Sequence, residues 1–300
     1  MPLGYPKPLY ILPFDHRTSF AKDLLGISGE IGGKDKGEMS ALKQVIYEAF
    51  ERALKFGVPK DSAAILVDGE YGESILRDAN EKGYITCLTA EKSGTDEFQF
   101  EHEDFGAHIN SVKPVFVKAL VRYNPRGNAS NNSYSLSRLK ELSRFAHENG
   151  YKFLIEPIVP PIESDVENAG GRDMYDAKMR PLLIARLIKE FQDAGVEPDV
   201  WKIEGMEKAP DYENAVSQAR TGEREDVGVI ILGRGEDESR VASWIEAGRG
   251  VKGIIGFAVG RTVFLKPLLD FKKGEISREE TIDKIALNYK RFYELFNKRS

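Results

Sequence analysis

Eight short apolar runs alternate with segments in which apolar residues recur every three to four positions, along nearly all of the chain. The runs are residues 9–14, 63–67, 84–88, 114–121, 152–157, 199–205, 227–232 and 251–259. A continuous apolar run marks a strand buried on both faces, as in a parallel sheet. Between the runs the spacing predicts helices over 39–56, 74–81, 105–110, 135–149, 182–193, 212–219 and 239–247. The first carries Leu42, Val45, Ile46, Ala49, Phe50 and Ala53 on one side and is stopped by Gly57 and Pro59. Ser135 is the expected cap of the fourth, with Gly150 just past its end. Residues 26–37 and 159–172 are rich in Gly or Pro and predict loops, the second long enough to serve as a lid. A last helix, 277–298, presents Ile282, Ile285, Tyr289, Phe292, Tyr293 and Phe296 on one side, either to cover the body of the fold or to dimerise.

Alternation of this kind predicts an α/β fold, a TIM (β/α)8 barrel over 1–300 with an extra C-terminal helix. The alternative is an open doubly wound sheet, but no G-x-G-x-x-G follows the first strand. There is no internal repeat and no linker.

Composition narrows the function. Hydrophobic residues are 41% and charged residues 30% of 300, enough for a large core and a soluble surface. The net charge of -5, with no long basic run, argues against a nucleic-acid partner. No apolar run reaches the roughly 18 residues of a membrane span, and residues 1–8 do not read as a signal peptide. The single cysteine, Cys87, lies in an apolar run and reads as a small buried hydrophobe, so a cytoplasmic location is expected.

Lys202 sits among apolar neighbours in Asp199-Val200-Trp201-Lys202-Ile203-Glu204-Gly205. Burying an ammonium is costly unless it is paired or deprotonated. It is therefore either half of an interior ion pair or an amine kept for attack on a carbonyl. Alternate residues of a strand share a face. Lys118 shares one with Phe116, Leu120 and Arg122, Glu156 with Leu154, and Lys202 with Val200 and Glu204. If those faces look inward, Lys118, Glu156 and Lys202 meet. A second ammonium depresses the first, and a carboxyl beside them can move the protons of imine formation. Asp15, at the end of the first strand, is the candidate base for making or breaking a carbon–carbon bond. The competing reading is a structural ion-pair network filling the barrel.

Other strand ends carry Arg17, Arg122, Tyr123 and Glu204, candidate substrate contacts. Gly233-Arg234-Gly235 and Gly260-Arg261 close the last two strands, where barrels often bind phosphate through backbone N–H groups and an arginine fork. No metal and no cofactor are expected. His102 and His108 lack zinc spacing, His147 sits late in a surface-type helix, and His16, beside Asp15, is a candidate substrate contact. Mg²⁺ on Asp68 and Glu70 is a minor alternative.

Several stretches carry a family resemblance over nearly the whole chain: Phe14-Asp15-His16-Arg17, Leu66-Val67-Asp68-Gly69-Glu70-Tyr71-Gly72, Ala90-Glu91-Lys92-Ser93-Gly94, Val117-Lys118-Ala119-Leu120-Val121-Arg122-Tyr123-Asn124-Pro125, the Lys202 segment, and Leu232-Gly233-Arg234-Gly235-Glu236-Asp237. They resemble the carboxy-terminal domain of inositol-catabolism proteins, which often follows a sugar kinase domain. That domain is associated with 5-dehydro-2-deoxyphosphogluconate aldolase activity, giving dihydroxyacetone phosphate and malonate semialdehyde. The chain is also similar to tagatose-1,6-bisphosphate aldolases, metal-free class I enzymes on a barrel, but has Arg234 where those have a small residue. The resemblance implies that Lys202 is the Schiff-base lysine. It implies that Glu156 handles protons around the carbinolamine, that Lys118 tunes the amine, and that Asp15 lies near the cleaved bond. It also gives Lys92 a substrate contact and Arg261, with Gly260, the phosphate site. The expected partner is a phosphorylated small molecule. A homo-oligomer and a sugar kinase of the same pathway are further candidate partners. An isomerase or epimerase, which would tolerate Lys202→Met, and a non-catalytic sugar-phosphate sensor are the alternative functions.

Overall fold

Eight parallel strands close on themselves in sequence order, β1 (Leu9–Pro13), β2 (Ala63–Val67), β3 (Ile85–Thr89), β4 (Phe116–Arg122), β5 (Lys152–Ile158), β6 (Val200–Glu204), β7 (Gly228–Leu232) and β8 (Ile254–Ala258), with β8 pairing back to β1. This is the TIM barrel. The structure is a computed structural model and describes residues 2–29 and 31–298; Met1, and Glu30 in the expected 26–37 loop, lie outside the described residues.

Helices surround the sheet: α1 (Thr18–Leu25), α2 (Gly33–Lys55), α3 (Gly69–Glu81), α4 (Phe105–Val112), α5 (Ala129–Glu148), α6 (Glu163–Ala169), α7 (Arg172–Met174), α8 (Arg180–Ala194), α9 (Ala209–Ala219), α10 (Glu238–Gly248), α11 (Arg261–Lys272) and α12 (Arg278–Asn297). A π-helical turn, Tyr175–Met179, joins α7 to α8. The strands' outward residues and the helices' apolar faces form the main core, which includes Ile65, Val117, Ile155, Trp201 and Ile231. The inward residues form a second, narrower cluster that includes Leu66, Cys87, Phe116, Leu154, Val200 and Ile230. Strands clothed on both sides need the apolar runs seen in the sequence.

Several elements differ from expectation. The expected 159–172 loop holds α6, whose Asp165 is buried and pairs with Arg126 at 3.0 Å. The stretch expected as a lid is helical over Glu163–Ala169. Helix α2 begins at Gly33, inside the expected first loop. Ser135 does not cap α5: Asn128 does, accepting from the amides of Ser130 and Asn131, while the Ser135 hydroxyl accepts from Phe98 N at 3.0 Å. The sequence reading had no counterpart for α1 and α11, and α11 carries Pro267 in its interior. The tail helix α12 starts with a capping box between Ser277 and Glu280. Its Tyr289 hydroxyl donates to Tyr10 O on β1 at 2.6 Å, so its apolar side covers the barrel.

Candidate active site

The strand register puts the charges at one level. Lys118 stands opposite Leu154, and Leu154 opposite Val200. Side chains alternate, so Glu156 and Lys202 lie one inward position above Lys118, whose long stem lifts its ammonium to meet them. Beneath, Cys87, Phe116, Leu154 and Val200 form an apolar floor.

One oxygen of Glu156, Oε2, is 3.0 Å from the Lys118 ammonium and 2.9 Å from that of Lys202. Lys118 also contacts Asp15 Oδ2 at 2.9 Å and Glu91 Oε1 at 2.5 Å. The sequence reading set two ammonium groups directly against each other. In the structure a carboxylate stands between them. Burial alone would lower Lys118, but Asp15, Glu156 and Glu91 hold it well above the usual ammonium range. It is a fixed cation. Burial would raise Asp15, yet Lys118, His16 and Lys202 hold its carboxyl well below the ordinary value. Glu156 is likewise lowered by Lys118 and Lys202 against its burial. At Glu91 burial wins and the carboxyl is raised. The Lys118 cation thus faces the ionised Asp15 and Glu156, and Glu91 is the one of its three carboxyl partners that binds a proton more readily than usual.

These groups line a cavity of about 580 Å³ at the carboxyl ends of the strands, the functional face of such barrels. His16, Arg17, Lys92, Arg122, Arg234 and Arg261 line it as well. Lys92 and Arg122 are exposed. Arg17 is largely committed to structure: it donates to Glu101 Oε2 and to the Glu91 carbonyl, both at 2.5 Å. Gly260 and Arg261 open α11; the Val263 and Phe264 amides fold back onto Gly260 O at 2.8 and 3.1 Å, and the Arg261 and Thr262 amides precede the first acceptor of the helix. The Arg261 guanidinium donates to Arg234 O at 2.8 Å. It lies so close to Gly235 that a Cβ there would be 2.3 Å away.

Three expected contacts are not in the cavity. Tyr123 continues the outward face of β4; its hydroxyl meets Glu190 at 2.6 Å and its ring packs edge-on against Phe191. Glu204 has the inward parity but is fully buried: it accepts from Val159 N at 2.9 Å and pairs with Arg234 at 3.0 Å and Arg180 at 3.5 Å. Its work is to position Arg234. The Gly233 amide donates to Ala258 O at 3.2 Å and is not free for phosphate. Asp68 and Glu70 do not converge on a metal. Asp68 pairs with Lys43 and accepts from Tyr71 N at 3.0 Å, while Glu70 meets Lys36 at the surface.

Sequence reasoning passed over Glu91 and Lys43. Glu91 lies two residues beyond β3 with the inward parity, a signal that was available. Lys43 sits among the apolar positions of α2, fully buried, and its ammonium donates to Phe14 O at 2.8 Å and His16 O at 3.1 Å. It ties the end of β1 to α2.

A family model described as "Uncharacterized protein conserved in bacteria (DUF2090)" matches residues 5–300. The chain belongs to the DUF2090 family. Tagatose 1,6-diphosphate aldolases of Listeria monocytogenes and Listeria innocua are 27% identical to it over 199 residues, 64% of this chain and 54% of theirs. The chain spans about half the length of these curated relatives. Among solved structures, Cgl0159 from Corynebacterium glutamicum superposes with a TM-score of 0.59 at 15% identity, covering 96% of this chain and 88% of that one. A Schiff-base-forming fructose-1,6-bisphosphate aldolase gives 0.57 at 16% identity, covering 96% and 94%. An archaeal fructose 1,6-bisphosphate aldolase gives 0.57 at 15%, covering 97% and 94%. At these identities the structures share the fold of the DUF2090 chain. Among the described residues no helix is long and apolar enough to cross a membrane.

Proposed function

We propose that this DUF2090 protein is a class I aldolase: Lys202 forms a Schiff base with the ketone of a phosphorylated ketose, which is cleaved to dihydroxyacetone phosphate and an aldehyde. The observation that carries the proposal is the Lys202 ammonium, 3% exposed at the cavity floor, 2.9 Å from a carboxylate that can take its proton.

The neutral amine adds to the carbonyl carbon, and the carbinolamine loses water with Glu156 returning the proton. The resulting iminium draws electrons from the neighbouring carbon–carbon bond. As that bond breaks, a hydroxyl loses its proton and becomes the aldehyde, and the bonding pair moves into an enamine. Protonation of the enamine and hydrolysis release dihydroxyacetone phosphate and restore Lys202. Lys118 keeps Asp15 anionic through these steps and favours the return of Glu156 to its carboxylate form after each proton transfer. Arg261 and the amino end of α11 are the assigned phosphate site, since helix N-termini favour anions. Both substrates implied by the sequence resemblances, 5-dehydro-2-deoxyphosphogluconate and a tagatose bisphosphate, share the dihydroxyacetone phosphate half. The Listeria similarity supports an aldolase.

Borohydride reduction in the presence of dihydroxyacetone phosphate tests this. Mass spectrometry is expected to find a covalent adduct on Lys202 and none in Lys202→Met. An adduct on another lysine, or turnover by Lys202→Met, would overturn the assignment.

A further inference from the structure

We infer that His16 is the base of the cleavage step, taking the proton from the substrate hydroxyl whose carbon becomes the aldehyde. The inference rests on the aldolase reading above and deepens it. His16 lines the cavity. Among the described residues its buried Nδ1 has no hydrogen-bond partner, and it lies 3.9 Å from Asp15 Oδ1. The ring's open side therefore carries Nε2. A carboxylate beside Nδ1 favours the tautomer with its proton there, which leaves the Nε2 lone pair for the substrate.

The ring is also held in place. Lys43 grips the carbonyl of His16 at 3.1 Å and that of Phe14 at 2.8 Å, and Phe264 packs edge-on at 6.1 Å. Asp15 suits the task less well. Its Oδ2 is occupied by Lys118 at 2.9 Å, so it stays anionic and is a poor proton acceptor. Its second oxygen faces the imidazole, where it stabilises the imidazolium that cleavage creates. The other charged groups acting on the ring are Arg261 from α11, Lys202 from β6 and Glu156 from β5. Burial, reinforced by Arg261 and Lys202 and opposed by Asp15, pushes the imidazole down to about 4, so it arrives at neutral pH without the extra proton.

The step balances. The substrate O–H bond breaks and its proton goes to Nε2; the oxygen's pair forms the carbonyl; the carbon–carbon pair moves into the enamine. In reverse, the imidazolium protonates the aldehyde oxygen as the new bond forms. His16 is assigned no part in forming the enamine from bound dihydroxyacetone phosphate, and this separates the two claims.

The test compares wild type with His16→Gln and His16→Asn, so that one misfolded variant does not decide the result. Dihydroxyacetone phosphate in D2O reports proton exchange, borohydride reports the Lys202 adduct, and added glyceraldehyde 3-phosphate reports condensation. The expected result is exchange and adduct at wild-type levels, with condensation down by about 10²–10⁴-fold, the usual worth of a general acid–base group. Condensation at the wild-type rate would overturn the assignment, as would loss of exchange by the same factor as condensation in both variants. A wild type that forms no adduct would overturn the aldolase reading, and the role of His16 with it.

Discussion

Lys118→Met removes the cation on which three buried carboxyls depend. Their side chains are only 10%, 9% and 6% exposed at Asp15, Glu91 and Glu156. At a separation near 3 Å and an effective dielectric of about 20, one such pair amounts to roughly 5 kcal/mol. Breaking a buried pair by removing one partner costs ~3–5 kcal/mol in practice. Lys202 remains for Glu156, and Glu91 already binds a proton more readily than an ordinary carboxyl, so Asp15 bears most of the loss. The pH dependence identifies the cause. In the wild type Asp15 and Glu156 have folded values below their unfolded ones, so the stability they contribute is fully present above the unfolded carboxyl range and is lost only as pH falls toward the folded values. Without Lys118, burial is left unopposed by its main counterweight and the folded Asp15 value rises. The penalty is then greatest at about pH 8 and shrinks toward about pH 5, as the carboxyls bind protons to escape it. Denaturant unfolding of wild type and variant at both pH values measures this. A loss below ~1 kcal/mol at the higher pH, or one that does not shrink at the lower, would refute the argument that Lys118 is the anchoring cation.

Two further outcomes follow from the geometry. Lys43→Met leaves Asp68 buried and unpaired and is expected to cost ~3–5 kcal/mol, while Lys43→Met combined with Asp68→Leu costs less than the single variant; urea unfolding of the four-member cycle checks this. Gly235→Ala places a methyl 2.3 Å from the Arg261 guanidinium at a backbone φ of +75°, so it should weaken dihydroxyacetone phosphate binding by ~10-fold, or about 1.4 kcal/mol, in calorimetry.

The strands were legible because a parallel barrel buries both of their faces, which leaves runs such as Ala63–Val67 with no polar interruption. Parity then brought Lys118, Glu156 and Lys202 together. It failed at Glu204, because parity says nothing about what roofs a strand, and Arg180 and Arg234 arrive there from α8 and the end of β7. Tyr123 was misplaced for a simpler reason: it is one residue past Arg122 and so on the opposite face. Helix α11 was hidden by Pro267, and α6 by Pro160, Pro161, Gly170 and Gly171 around it. Lys43 could not be singled out because its carbonyl and carboxylate partners lie more than twenty residues away in the sequence.

The charge cluster has a consequence for how the molecule is assembled. Asp15, Glu91, Lys118, Glu156 and Lys202 arrive on five separate strands or the turns that follow them, and no two neighbouring strands neutralise the set. A partial cylinder would leave naked ions over a greasy floor, and a strand slipped by one residue would drive its charge into the helix-facing layer. Correct registration of the staves and completion of the catalytic apparatus are therefore one event. Fragments or half-closed intermediates of this chain should carry neither the ring's stability nor its chemistry.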